Sequence, residues 1–205
     1  MAVRVKICGL TRLQDVQAAC AAGADALGLV FYDKSPRHVT IETAATLVRA
    51  LPPFVQSVGL FVNAEPAFIE SVLSRVSLDL LQFHGDETPD ECARYGRPYL
   101  KAVRVTTETD LLKYAADFDA ARGLLLDAYV VGVPGGTGER FDWRLIPANL
   151  PKPIVLSGGL TPDNVAEAVQ QIRPWAVDVS SGVEASKGIK DPQKVAQFIA
   201  KAKAS

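Results

Sequence analysis

Hydrophobic residues along the chain follow two periods that alternate from one end of the sequence to the other. Short runs of β-branched and aliphatic residues predict strands, and the longer stretches between them have apolar residues at helical spacing. The predicted strands are VRVKIC, ADALGLVF, QSVGLFV, DLLQFH, YLKAVRV, GLLLDA, KPIVLS and AVDVSS. The predicted helices are RLQDVQAACAA, ETAATLVRAL, PAFIESVLSRV, PDECARYG, TETDLLKYAAD, FDWRLIPA, PDNVAEAVQQI and DPQKVAQFIAKAKA.

Capping residues and prolines mark the starts of several predicted helices. Thr11 precedes the first helix and Thr40 caps the second, where a side-chain oxygen accepts from a free backbone N–H. Proline suits the first turn because the N–H that it lacks has no partner there. Prolines near predicted first turns are Pro66, Pro89, Pro162 and Pro192.

The alternation of strands and helices predicts a closed barrel. Eight pairs in 205 residues give a repeat of about 25 residues, and a regular βα repeat implies parallel strands with right-handed crossovers. We therefore expect an α/β protein with a single (β/α)8 TIM barrel domain over residues 1–205, near the lower size limit of about 200 residues. The alternative, an open doubly wound sheet, often has a glycine fingerprint after its first strand, which ICGLTR does not match.

In a barrel of this kind the chemistry lies at the carboxyl ends of the strands. The loop after the second strand, YDKSPRHV, adds two basic side chains to that end. The candidate residues there are Cys8, Arg37, His38, His84, Asp127, Ser157 and Ser180.

The segment LSGGLTPDNV predicts a phosphate site after the seventh strand. Gly158 and Gly159 let backbone amides approach an anion, and the helix start adds N–H donors and a favourable dipole. The next strand ends in DVSSGVE, where Ser180, Ser181 and Gly182 add donors in the loop that commonly completes such sites. The alternative interpretation of the glycine pair is a tight turn with no ligand.

Cys8 and Asp127 are the candidate base and acid. Cys8 shares a strand face with Lys6, so it is either a small buried hydrophobe or a thiol whose thiolate is favoured by Lys6 or a bound charge. Asp127 follows three leucines, where partial burial suits a proton donor, and its alternative role is a cap or an ion pair. Asp178 is expected to pair with Lys6 or Arg4 inside the barrel.

Three further residues are predicted to contact a substrate. Arg37 presents a planar fork that suits a carboxylate, although a loop arginine is equally a solvated charge. Gln82 and His84 share one face of the fourth strand and are placed to line the barrel mouth, unless the histidine has only a structural role. Because His38 and His84 are the only histidines, no metal site is predicted.

Composition restricts the partners. The formal net charge is -1, from 22 basic and 23 acidic residues, so we expect neither nucleic acid nor membrane binding. The stretch AACAAGADALGLVF is too short to span a bilayer, and the first residues carry charges where a secretory signal needs an apolar run. The three cysteines follow no disulfide or metal pattern. These features predict a reduced, cytoplasmic protein.

Motifs spread over the chain from Lys6 to about Phe198 carry a family resemblance. They are KICGLT, SPRHV, GLFVN, LLQFHGDET, GGTGERFDW, LSGGLTPDNV, DVSSGVE and GIKD. Glycine-rich phosphate loops occur in many barrels, but this ordered set closely resembles the phosphoribosylanthranilate isomerase family of tryptophan biosynthesis.

The resemblance implies an Amadori rearrangement of N-(5'-phosphoribosyl)anthranilate to 1-(2-carboxyphenylamino)-1-deoxyribulose 5-phosphate, with no cofactor. Asp127 matches the family's acid and Cys8 its base, while Arg37 would contact the anthranilate carboxylate. The loop GGTGERFDW would close over the substrate. The residues implied to hold the phosphate are Gly158, Gly159, Ser181 and Gly182.

Other functions stay open at this point. A related phosphosugar enzyme, such as a histidine-pathway aminoaldose isomerase, would share the phosphate loops but is expected to use a carboxylate pair or a lysine in place of Cys8. A non-catalytic phosphometabolite-binding barrel would need neither an acid nor a base. The sequence is compatible with a monomer or a homodimer.

Overall fold

The computed structural model describes residues 2–128 and 142–205. Eight parallel strands in these ranges close into a barrel. Each strand pairs with the next along the chain, and the last of them returns to the first. The barrel strands are β1 (Arg4–Cys8), β2 (Ala26–Val30), β3 (Gln56–Phe61), β4 (Leu80–Phe83), β5 (Tyr99–Val105), β6 (Gly123–Ala128), β7 (Ile154–Leu156) and β8 (Ala176–Val179). The predicted barrel is confirmed.

Seven α-helices in the described ranges lie between or after these strands. They are α1 (Leu13–Ala21), α2 (Ile41–Arg49), α3 (Pro66–Arg75), α4 (Pro89–Ala93), α5 (Leu111–Asp117), α6 (Val165–Ile172) and α7 (Pro192–Lys203). Each helix buries one stripe against the barrel, as α7 does with Val195, Phe198, Ile199 and Ala202. None of the helices in the described part of the chain is long and apolar enough to cross a membrane.

The segment FDWRLIPA, predicted as the helix after β6, forms only a 3₁₀ turn at Trp143–Leu145. Pro147 explains the early end, because a proline disfavours helical backbone at the preceding residue, and Ile146 is extended with a ψ of 116°. The prediction of a helix here is wrong. Residues 129–141, which hold most of the GGTGERFDW loop expected to close over a substrate, lie outside the described residues.

The start of α6 also differs from the prediction, since the helix begins at Val165 and not near Pro162. Asn164 causes the difference by folding its side chain back over the preceding turn. Its Oδ1 accepts from the N–H of Thr161 at 2.9 Å, and its Nδ2 donates to the carbonyl of Gly159 at 2.8 Å. The other three prolines named above open α3, α4 and α7, as predicted.

A short antiparallel hairpin that the sequence did not predict follows β8. It pairs β9 (Glu184–Ser186) with β10 (Ile189–Lys190) and turns at Gly188, whose φ is +79°. Thr11, expected to begin α1, donates instead to the carbonyl of Gly188 at 2.7 Å and so ties the hairpin to the loop after β1. Thr40 caps α2 as predicted.

Strand register determines which side chains fill the barrel. Val5 and Ile7 of β1 are buried under the helices, while Lys6 and Cys8, which alternate with them, point into the barrel. The amino-terminal half of the interior is apolar and contains Leu100, Ala102, Leu125, Val155 and Ala176. Above this layer Lys6 Nζ binds Asp178 Oδ1 at 2.8 Å, which confirms the predicted internal pair, whereas Arg4 binds Asp25.

Candidate active site

The residues predicted to form the site border one cavity of about 620 Å³ at the carboxyl ends of the strands. Those on the strands occupy inward-pointing positions. Register partners such as Lys6 and Asp178 lie side by side on neighbouring strands, and both face the interior. The members of the predicted set on this cavity are Cys8, Arg37, Gln82, His84, Asp127, Ser157, Gly158, Gly159, Ser180, Ser181 and Gly182. His38 is exposed and does not border it.

Cys8 is a buried thiol at the end of β1. Burial raises the pKa of the Cys8 thiol above its ordinary value, and the positive charges of Lys6 and Lys190 offset only part of that effect. Gly28 is its register partner on β2, and a Cβ added there would lie 2.7 Å from the Cys8 sulfur. The expected influence of Lys6 is therefore present, but it does not by itself make the thiolate the favoured form.

A charged network lies beside Cys8. Asp178 accepts from Lys6 at 2.8 Å through one carboxylate oxygen and from Ser157 Oγ at 3.2 Å through the other. Although burial lowers the pKa of Lys6, the charge and hydrogen bond of Asp178 together with the interaction of Cys8 outweigh burial and hold that pKa above its usual value. Lys6 thus stays positively charged next to the thiol.

Asp127 lies at the end of a hydrogen-bonded chain of polar side chains. The Gln82 amide Nε2 is 2.9 Å from His84 Nδ1, and His84 Nε2 is 3.1 Å from Asp127 Oδ2. An amide nitrogen only donates, so Nδ1 accepts and the imidazole proton lies on Nε2, directed at the carboxyl group. Gln82 thereby fixes the tautomer of His84, and His84 orients Asp127.

Two loops form a concave surface of backbone groups beside these side chains. Gly158 and Gly159 both have left-handed φ values, +80° and +66°, which favour glycine. A Cβ on Gly182 would clash with the carbonyl of Leu160, so the loop after β8 packs closely against the loop after β7. The glycines in both loops are therefore required by the backbone geometry.

The helix start expected to supply donors here differs from the prediction. The N–H groups of Asn164 and Val165 donate to the carbonyl of Thr161, and that of Asp163 donates to the Thr161 hydroxyl. These amides are already satisfied within the turn before α6. Donors for an anion must come from the glycine turn and from the 3₁₀ turn at Ser181–Val183.

Comparison with known proteins identifies the family. A family model described as N-(5'-phosphoribosyl)anthranilate (PRA) isomerase matches residues 5–201. The chain belongs to the phosphoribosylanthranilate isomerase family. The family resemblance of the sequence motifs is confirmed, and with it the enzyme class of isomerase and the place in tryptophan biosynthesis.

Relatives of this family match the chain along its whole length. A curated N-(5'-phosphoribosyl)anthranilate isomerase of Thiobacillus denitrificans is 73% identical over 205 residues, covering 100% of both chains. The crystal structure of the Thermotoga maritima phosphoribosyl anthranilate isomerase is 43% identical, with a TM-score of 0.89 over 99% of this chain and 100% of that chain. Another solved isomerase, in complex with reduced 1-(o-carboxyphenylamino)-1-deoxyribulose 5-phosphate, is 43% identical with a TM-score of 0.85, over 99% of this chain and 100% of that chain.

Two charged residues of the isomerase site were missed in the sequence. Glu184 accepts from Arg37 through both carboxylate oxygens, and Lys190 Nζ lies 3.0 Å from Glu184 Oε1. Both residues stand in motifs named above, Glu184 in DVSSGVE and Lys190 in GIKD, but no role was predicted for either, and the only local structural signal is a glycine between short polar runs that is typical of a hairpin turn. Neither strand is long enough for its burial to be predicted by alternation.

An apolar wall beside the thiol was also missed. Val30 and Leu60 form a small buried cluster with Cys8, and Tyr32 and Val62 pack against it. All five residues border the cavity. The wall joins inward positions of β1, β2 and β3, which single-strand patterns do not relate to one another.

The described residues contain no group of three or more His, Cys, Asp or Glu side chains that could hold a metal ion. All three cysteines are free thiols.

Proposed function

We propose that the chain catalyses the Amadori rearrangement of N-(5'-phosphoribosyl)anthranilate to 1-(2-carboxyphenylamino)-1-deoxyribulose 5-phosphate. The observation that carries the proposal is that a thiol and a carboxyl group, Cys8 and Asp127, border the same cavity as two glycine-rich loops. One group accepts a proton, the other donates one, and the loops suit a phosphate. Family membership supports the same reaction.

Asp127 acts as the acid in the first step. It protonates the ribose ring oxygen, the bond from that oxygen to C1' breaks, and the nitrogen lone pair forms the Schiff base. The hydrogen bond from His84 holds the carboxyl group in a fixed orientation for this transfer. Gln82 assists by fixing the imidazole tautomer.

Cys8 acts as the base in the second step. Its thiolate removes the proton at C2', and the electron pair of that bond forms the double bond of an enolamine while the Schiff-base nitrogen becomes neutral. Tautomerisation, with a proton added at C1' and the C2' hydroxyl proton lost, gives the ketone. The cationic Schiff base adds positive charge near a thiol whose pKa burial has raised, so the bound intermediate favours the thiolate.

Groups remote from the reacting bond hold the two ends of the substrate. Gly158, Gly159, Ser181 and Gly182 bind the phosphate through the two loops described above. Arg37 binds the anthranilate carboxylate, and the apolar wall beside Cys8 packs against the aromatic ring. Binding energy at both ends positions C1' and C2' between acid and base.

Turnover of freshly made phosphoribosylanthranilate, followed by loss of anthranilate fluorescence, tests the proposal. We expect the wild type to convert the substrate, and Asp127→Asn and Cys8→Ser each to lose at least about 100-fold in kcat, the usual contribution of one acid or base. Cys20→Ser, a cysteine of α1 outside the cavity, serves as the control and should keep wild-type turnover.

Two outcomes would contradict the proposal in different ways. Near-normal turnover in Cys8→Ser would remove that thiol from the mechanism. Binding of the substrate by the wild type without conversion would instead indicate a non-catalytic phosphometabolite-binding barrel. The single domain over residues 1–205, the cytoplasmic location, the absence of a cofactor and the choice between monomer and homodimer stay predictions.

A further inference from the structure

Arg37, Glu184 and Lys190 form a buried charged cluster on the rim of the cavity. Arg37 Nε donates to Glu184 Oε1 at 2.7 Å, and Arg37 Nη2 donates to Oε2 at 2.9 Å. Lys190 Nζ donates to the same Oε1 at 3.0 Å. The three side chains are only 12%, 6% and 1% exposed, in that order, so the cluster is part of the protein's interior and not a surface ion pair.

The cluster carries a net positive charge of one, from two cationic side chains and one carboxylate. Burial raises the pKa of Glu184, but hydrogen bonds from Arg37 and the charge of Lys190 outweigh burial and hold that pKa below its usual value. Glu184 is therefore ionised at neutral pH. Without Lys190, Glu184 would neutralise Arg37 and leave the pair with no net charge.

The hydrogen-bond geometry leaves one edge of Arg37 for a ligand. A guanidinium has two edges that each match a carboxylate, and Glu184 occupies the edge that contains Nε. Within the described residues the remaining N–H donors have no protein acceptor, and Arg37 borders the cavity. A carboxylate there would meet a fork whose orientation is already fixed.

Packing around Arg37 restricts it further. A Cβ on Gly9 would clash with Arg37 Cδ, so the absence of a side chain at Gly9 makes room for the arginine stem over the end of β1. A Cβ on Gly188 would lie 2.8 Å from the carbonyl of Pro36, so the hairpin turn packs against the residue before Arg37. The hairpin β9–β10 thus contacts the loop after β2 through both its turn and Glu184.

We propose that Glu184 is a positioning residue that orients the second edge of Arg37 toward the substrate carboxylate, with Lys190 as the countercharge that keeps the cluster attractive to an anion. This role rests on the proposed function, in which Arg37 binds the anthranilate carboxylate. It gives the hairpin after β8 a part in substrate recognition distinct from the phosphate loops.

Steady-state kinetics on two substrates test the inference. One is phosphoribosylanthranilate, and the other is the same phosphoribosylamine built on aniline, which lacks the carboxylate. We expect Glu184→Gln and Glu184→Asp to raise KM for the anthranilate compound about tenfold, with kcat within about twofold of wild type. On the aniline compound both variants should have the KM of the wild type.

Asp25→Asn is the matched control. Asp25 also lies between an arginine and a lysine, Arg4 at 3.3 Å and Lys203 at 3.0 Å, but at the amino-terminal end of the barrel. The KM of the Asp25→Asn variant for both compounds should equal that of the wild type. A general loosening of the barrel would raise KM in this variant too, or would raise it equally for both compounds.

The two glutamate variants separate orientation from charge. Glu184→Asp keeps the net charge and withdraws the carboxylate by one methylene, whereas Glu184→Gln keeps the shape and removes the charge. If either variant is unfolded by circular dichroism, the other still decides. An unchanged or lower KM for the anthranilate compound in the folded variants, or an equal rise for both compounds, overturns the inference.

Arg37→Met distinguishes this failure from failure of the proposed function. If Arg37→Met leaves KM for the anthranilate compound unchanged, or the wild type converts neither compound, the assigned function or the role of Arg37 is wrong. If Arg37→Met raises KM selectively for the anthranilate compound and the Glu184 variants do not, only the positioning role of Glu184 is wrong.

Discussion

The two sides of the barrel mouth differ in the side chains that contact their titratable groups, Cys8 and Asp127. On the thiol side, Cys8 lies near two buried lysines, Lys6 and Lys190, and near the carboxylate of Asp178. On the carboxyl side, Asp127 is held by His84, whose tautomer Gln82 fixes. Two lysines and a carboxylate lie beside the thiol, while among the described residues an imidazole and an amide are hydrogen-bonded in line to the carboxyl group of Asp127.

This difference fits the opposite tasks proposed for the two groups. A thiol that must lose its proton is helped by fixed cations, which lower its pKa against the effect of burial. The carboxyl group proposed to donate a proton is instead oriented by a hydrogen bond from an imidazole. The proposed base and the proposed acid thus have different kinds of neighbouring side chains at one barrel mouth.

The largest expected effect comes from breaking the charge balance on the thiol side. In Lys6→Met the carboxylate of Asp178 is buried without its partner, so we expect the free energy of unfolding at pH 7 to fall by about 3–5 kcal/mol. Urea denaturation measures the loss.

Asp25→Asn is again the control, because Asp25 and its partner Arg4 are 23% and 61% exposed. The asparagine keeps an acceptor for the N–H of Val5 and loses only the partly exposed ion pairs with Arg4 and Lys203, so the expected loss is smaller, about 1 kcal/mol. Equal losses in the two variants would show that the lysine inside the barrel is no more important for folding than a surface pair.

The pH dependence of turnover sharpens the same comparison. The Cys8 pKa is raised above its ordinary value of 9.0 in the free protein, and a base acts only when deprotonated. We therefore expect kcat/KM to rise about tenfold per pH unit between pH 7 and 9, and kcat to rise less, since the cationic intermediate favours the thiolate. Steady-state rates over that range measure both slopes.

Cys20→Ser should reproduce the wild-type pH profile, since its thiol lies outside the cavity. A kcat/KM that is flat from pH 7 to 9 in the wild type would mean that deprotonation of the Cys8 thiol does not by itself control turnover.

Alternation along single strands was sufficient to predict much of the site. Side chains alternate between the two faces of a strand, and in a closed barrel one of those faces always points to the interior. The inward positions at the carboxyl ends of the strands include Cys8, Gln82, His84 and Asp127. The same reasoning predicted the internal pair of Lys6 and Asp178. Which residues of a strand face the interior can therefore be predicted from the sequence of that strand alone.

Contacts that depend on distant segments were out of reach. Arg37 and Glu184 are 147 positions apart, and nothing in either segment alone indicates that a loop arginine meets a hairpin glutamate. The wrong helix after β6 and the late start of α6 have local causes, Pro147 and the side-chain turn of Asn164. Such single residues override a periodic pattern that extends across them.

The smallest expected effect comes from removing the outer donor to Asp178. In Ser157→Ala the carboxylate keeps Lys6 at 2.8 Å and loses only a hydroxyl at 3.2 Å, so we expect about 1 kcal/mol less stability in urea denaturation. Ser57→Ala, which removes contacts to the Asp79 carboxylate, the Asp79 N–H and the carbonyl of Ser77, should lose at least as much. Of these two variants, only Ser157→Ala alters the surroundings of the thiol, so only its kcat/KM profile should shift along the pH axis. A matching shift in Ser57→Ala would mean that the titration reports global stability and not the thiol side of the mouth.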